Sequence, residues 1–174
     1  FVKNLDLGLA GKETMGIVPA KGSISDEKVA EIRGLIEKHE FEKALSMLQD
    51  ELAKNPYDGI LHGWMGVALM EMGNASQAAS EFKKAISIAP ENPDFHNGYG
   101  YAMLSQGNFA EAAASFKDAI RINPKHADAH YGLGTAYANL GDVMSATKEY
   151  TILKELDSKM ADSLFKLILR GGEQ

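Results

Sequence analysis

Small and apolar residues return along this chain at a step of 34 positions, with polar residues between them. Gly66, Gly100 and Gly134 share one place in that step, and Gly73, Gly107 and Gly141 share another. Ala78, Ala112 and Ala146 hold a third, Phe82, Phe116 and Tyr150 a fourth, Pro90 and Pro124 a fifth. A self-match at this period is the signature of a helical solenoid, in which each helix pair leaves an apolar face for the next pair to cover.

The pattern divides the chain into an arm or linker over 1–24, a degenerate first repeat over 25–58, and clear repeats over 59–92, 93–126 and 127–160. Residues 161–174 remain for a closing helix and tail. Gly73, Gly107 and Gly141 stand where a helix ends and the backbone needs a positive φ. Asn74, Asn108 and Asp142 follow as expected N-caps of each second helix, with Gln77 and Glu111 as capping-box partners. Gly66, Gly100 and Gly134 fall inside each first helix, at a cost of about 1 kcal/mol against alanine that packing must offset. In the first repeat, Ser25-Asp26-Glu27 opens a helix, Ile32 replaces the small residue, and His39-Glu40 replaces the Gly-Asn turn. Leu164, Leu167 and Ile168 form a helical stripe ended by Gly171-Gly172, while Phe165 and Leu169 add a second apolar face.

These residues resemble the tetratricopeptide repeat family. The shared ones are the glycine at repeat position eight, alanine at twenty, aromatic at twenty-four and proline at thirty-two, over Ser25 to about Met160. The chain departs from the pattern at position four, where His62, His96 and His130 replace an aromatic, and at Asp157-Ser158, where proline is usual. The resemblance implies an all-α fold. It is a right-handed superhelical solenoid of four antiparallel helix pairs closed by a C-terminal capping helix. It also implies that Gly66, Gly100 and Gly134 face Ala78, Ala112 and Ala146 at close helix crossings, with Phe82, Phe116 and Tyr150 filling the space between repeats.

Composition narrows the chemistry. The net charge of −6 argues against a nucleic-acid surface, which needs a basic patch. There is no cysteine, hence no disulfide or thiolate site, and cytoplasm and bacterial periplasm stay equally open. No apolar run approaches the ~20 residues of a membrane helix. The chain opens on Phe1 rather than Met, as a trimmed or processed chain does. The three histidines at one repeat position would lie about 8–10 Å apart, too far to share an ion, so no metal is expected. Gly98-Tyr99-Gly100 and Gly132-Leu133-Gly134 lack the strand that a nucleotide-binding glycine run requires. No catalytic grouping stands out, and neither an enzyme activity nor a cofactor is expected.

In the family the first helices line a concave groove. That places Trp64, Val67, Met70 and Glu71 there from one repeat, Asp94, Asn97 and Tyr101 from the next, and Asp128, Tyr131, Thr135 and Asn139 from the last. The set is aromatic, apolar and amide-bearing, with three carboxylates and no Lys or Arg. It fits a protein or peptide segment with apolar anchors held by Trp64, Tyr101 and Tyr131. Asn97 and Asn139 would bond its backbone, and the carboxylates would favour basic flanks. The function expected is a non-enzymatic interaction module: an adaptor, chaperone or assembly factor. The alternative is a scaffold that self-associates, as a homo-oligomer, through Leu5, Leu7 and Leu9 of the arm or Phe165 and Leu169 of the last helix.

Overall fold

The computed structural model describes residues 24–171, and among these every regular element is an α-helix. They form two compact units, up to Pro90 and from Glu91 onward. The first holds α1 (Asp26–Glu37), α2 (Phe41–Lys54), α3 (Gly59–Glu71) and α4 (Ala75–Ile88). The second holds α5 (Pro93–Ser105), α6 (Phe109–Ile122), α7 (Ala127–Asn139), α8 (Val143–Leu156) and α9 (Ser158–Gly171). Within each unit, consecutive helices pack as antiparallel neighbours, and first helices also touch across a repeat: α1 on α3, α5 on α7, α7 on α9.

Short-range chemistry explains the turns. Gly73, Gly107 and Gly141 take φ of 79°, 76° and 76°. The residue after each reaches back into the helix it leaves: Asn74 N to Leu69 O at 2.8 Å, Asn108 N to Met103 O at 2.9 Å, Asp142 N to Tyr137 O at 2.9 Å. These bonds satisfy carbonyls that the helix end leaves free. The degenerate first repeat closes the same way, Glu40 N to Leu35 O at 2.9 Å, but with His39 at φ 59°. A side chain in this left-handed region costs about 1–2 kcal/mol. His39→Gly is therefore expected to stabilise the fold by about 1 kcal/mol, seen as a higher urea midpoint with unchanged slope. A lower midpoint would mean that the edge contact of His39 with Phe41, 5.5 Å between ring centres, outweighs the backbone strain.

The capping expectation needs correcting. Asp142 accepts from Ser145 N at 3.0 Å, but Asn74 and Asn108 make no side-chain cap bond. Asn108 turns its amide toward Met103 Sδ, and Glu111 accepts the Tyr99 hydroxyl instead of closing a capping box. A recurring set of side-chain caps lies one residue before the first helices. Asp58 accepts from Ile60 N at 2.9 Å, Asn92 from Asp94 N at 3.0 Å, and His126 Nδ1 from Ala129 N at 3.4 Å. These three positions also follow the 34-residue step.

The core is organised by rings against glycines. Phe82 and Phe116 are wholly buried. A Cβ added to Gly66 would come within 2.8 Å of the Phe82 ring, and one on Gly100 within 2.7 Å of the Phe116 ring. Gly66 and Gly100 thus make room for the aromatic of their own repeat. Phe116 is held from a second side, since a Cβ on Gly132 of α7 would lie 2.4 Å from its ring.

The last repeat breaks this pattern. Leu164 of α9, not Tyr150, fills the space at Gly134, where a Cβ would lie 2.4 Å from it. Tyr150 is half-buried, with its ring centre 5.3 Å from that of Phe165. The cause is local. Without a proline to space the turn, Asp157 caps α9 at once, accepting from Lys159 N at 2.9 Å and Met160 N at 3.0 Å. The helix therefore starts at Ser158, three residues before the expected Ala161, and presents Leu164 to α7.

Candidate functional site

The residues expected to bind a partner sit on first helices, and burial sorts them. In the first unit Trp64, Val67 and Met70 are buried, with Trp64 only 8% exposed. The Arg33 guanidinium of α1 lies 5.5 Å from the Trp64 ring centre, a cation–π contact that covers the face expected to take a guest side chain. Glu71 at the end of α3 is half-exposed. Partial burial pushes its carboxyl above the usual carboxylate range, opposed by the field of His39.

In the second unit α5 and α7 lie side by side. Tyr101 was expected to offer an anchor pocket; it is packed instead. Its ring meets Phe116 edge-on at 5.0 Å, and its hydroxyl donates to the Asp128 carbonyl at 3.0 Å. Burial first, and then the nearness of Asp128 and Tyr131, raises this phenol well above its ordinary value. Asn97 is wholly buried, and neither its amide oxygen nor its nitrogen is hydrogen-bonded. The Thr135 hydroxyl oxygen is likewise buried and unbonded.

Asp94, Asp128 and Tyr131 are half-buried, and Asn139 is exposed. Asp94 Oδ1 lies 3.2 Å from His126 Nε2. Asn139 donates to the Thr135 carbonyl at 2.8 Å. Helices α3, α5 and α7 contain no Lys or Arg, whereas α4, α6 and α8 carry Lys83, Lys84, Lys117, Arg121, Lys148 and Lys154. Across the three clear repeats Lys and Arg therefore stand on second helices only, whereas α1 of the first repeat carries Lys28 and Arg33.

Outside this face, Phe165 and Leu169 keep 44% and 55% of their surface exposed. Leu5, Leu7 and Leu9 lie outside the described residues. Among the described residues no three metal-binding side chains converge, and no helix is long and apolar enough to cross a membrane.

Sequence comparison agrees with this repeat geometry. A family model described as tetratricopeptide repeat matches residues 35–99 and 69–114, and one described as TPR repeat matches 100–141. Together they span residues 35–141, more than half of the chain. The chain belongs to the tetratricopeptide repeat family. Solved tetratricopeptide repeat structures share its all-α repeat solenoid. TTC0263, a thermophilic TPR protein of Thermus thermophilus, aligns with TM-score 0.73 and 21% identity over 84% of this chain and 82% of that one. YrrB, described as a TPR protein with an unusual peptide-binding site, aligns with TM-score 0.70 and 20% identity over 85% and 76%. PilF of Pseudomonas aeruginosa aligns with TM-score 0.67 and 19% identity over 86% and 77%. At these identities the likeness is one of fold. No curated protein matches the chain in sequence. As a tetratricopeptide repeat protein it carries a scaffold for protein–protein interaction.

Two polar features escaped the sequence reading. One is the row of caps at Asp58, Asn92 and His126, whose signal was a polar residue at the same repeat position. The other is a pair of buried histidine–glutamate contacts. Position four plus nineteen holds Glu81 and Glu149 in the second and fourth repeats, and Ser115 in the third.

Proposed function

We propose that this protein is a non-enzymatic module that holds a peptide or protein segment with basic flanks against its first helices, as an adaptor, chaperone or assembly factor. The observation that carries the reading is the charge segregation. In the second unit the first helices α5 and α7 bear Asp94 and Asp128, both half-open to solvent, and neither Lys nor Arg. Such a surface attracts Lys- or Arg-bearing segments and repels acidic ones, which favours encounter and discrimination over raw affinity. On α7 the half-open ring of Tyr131, beside Asp128, supplies an amphipathic contact of the kind enriched at binding hot spots. The peptide-binding site attributed to YrrB lends support, since the same fold carries it there.

Fluorescence anisotropy against an array of apolar peptides with basic or acidic flanks tests the proposal. Basic-flanked peptides are expected to bind, more weakly as salt rises. Asp128→Lys is expected to weaken them about tenfold, because an attraction becomes a like-charge contact. Binding that is indifferent to flank charge, and equal in Asp128→Lys and Tyr131→Ala, would exclude this face.

A further inference from the structure

The buried histidines of the second and fourth repeats are held on both sides by acceptors. His130 Nδ1 lies 2.6 Å from Glu149 Oε2 on α8, and its Nε2 lies 2.9 Å from the Pro124 carbonyl in the α6–α7 turn. His62 repeats the arrangement two repeats earlier, 2.7 Å from Glu81 Oε2 and 3.2 Å from the Pro56 carbonyl. A carbonyl only accepts, and so does an ionised carboxylate. A neutral imidazole carries one N–H, so only the imidazolium satisfies both contacts. The third repeat has no glutamate at this place; Ser115 donates instead to the His96 carbonyl at 2.7 Å.

We propose that His130 is a proton-operated clasp. As an imidazolium it ties α7 at once to α8 and to the turn that delivers the third repeat into the fourth, and loss of its proton opens that junction.

The surroundings favour the charged ring. From α8 the group facing it is Glu149; from the turn it is the Pro124 carbonyl. One helical turn back on α7 stands His126, whose Nε2 is engaged with Asp94 of α5. Helix α6 directs Lys117 to the ring of Tyr137, two turns further along α7. Helix α9 brings the apolar Leu164 beside Gly134. Burial pulls the His130 pKa down, but the Glu149 hydrogen bond, the Pro124 carbonyl and the Glu149 charge outweigh it, and the net direction is upward from 6.5. A raised histidine stabilises fully below its unfolded value and loses that contribution as pH climbs through the folded one. The clasp is therefore closed below the ordinary histidine value and opens as pH climbs through the raised one.

Imidazole nitrogen resonances of the full-length protein test this directly. Both ring nitrogens of His130 are expected in the protonated range on the acid side, with a titration midpoint above the 6.5 of a free histidine. Glu149→Gln keeps an acceptor but removes the charge. It is expected to lower that midpoint, and to flatten the fall of the urea midpoint that wild type shows between about pH 6 and about pH 9. In wild type, amide exchange over residues 125–129 is expected to rise across this range by more than the roughly tenfold per pH unit of base catalysis alone. A midpoint at or below that of free histidine, or parallel stability curves for wild type and Glu149→Gln, would overturn the proposal. Should Glu149→Gln not fold, His130→Gln replaces it in the stability comparison, and the wild-type titration decides independently.

Discussion

Replacing Phe116 with alanine is expected to lower the unfolding free energy by about 3–5 kcal/mol, read from urea denaturation followed by helical circular dichroism. The ring is wholly buried, wedged between Gly100 of α5 and Gly132 of α7, and Tyr101 meets its face edge-on. Truncation removes that apolar burial and leaves a cavity between two repeats, which a packed helix array closes only in part. A double-mutant cycle sharpens the expectation. Gly132→Ala in wild type drives a Cβ to 2.4 Å from the ring, and should destabilise by about 1–3 kcal/mol. In the Phe116→Ala background the obstruction is gone, and the same substitution should gain up to about 1 kcal/mol of helix propensity. Additive effects would mean that the ring moves aside freely. Tyr150→Ala, at the equivalent place but half-buried, is expected to cost less than Phe116→Ala.

Asn97→Leu is expected to act in the opposite direction, raising stability by about 1–3 kcal/mol. Its amide is wholly buried with neither end hydrogen-bonded, so the folded protein carries the desolvation cost without return. Leucine has a similar volume and no such cost. Because the side chain is wholly buried, the variant should be more stable and bind basic-flanked peptides as wild type does. Loss of stability would show that Asn97 is satisfied within the fold.

Much of the architecture was readable from spacing. The glycines at 73, 107 and 141 dictate where helices stop because a positive φ is a property of the residue itself. The 34-residue recurrence dictates pairing because each helix pair must bury the same face. The site was less readable. Tyr101 and Asn97 hold inward positions by analogy, yet both are buried, since exposure depends on what the neighbouring helices bring up against them.

The divide follows the range of the forces. The glycine turns at 73, 107 and 141 and the absence of Lys and Arg from α3, α5 and α7 depend on residues a few positions apart, and were legible without coordinates. Three features depend on partners far along the chain. Leu164 rather than Tyr150 fills the space at Gly134, because α9 starts three residues early at the Asp157 cap. Tyr101 spends its hydroxyl on the Asp128 carbonyl, 27 residues on. His130 closes on a glutamate nineteen residues ahead and a carbonyl six behind. Packing at close range is decided by which atom arrives within a few ångströms, and only the folded chain brings those atoms together.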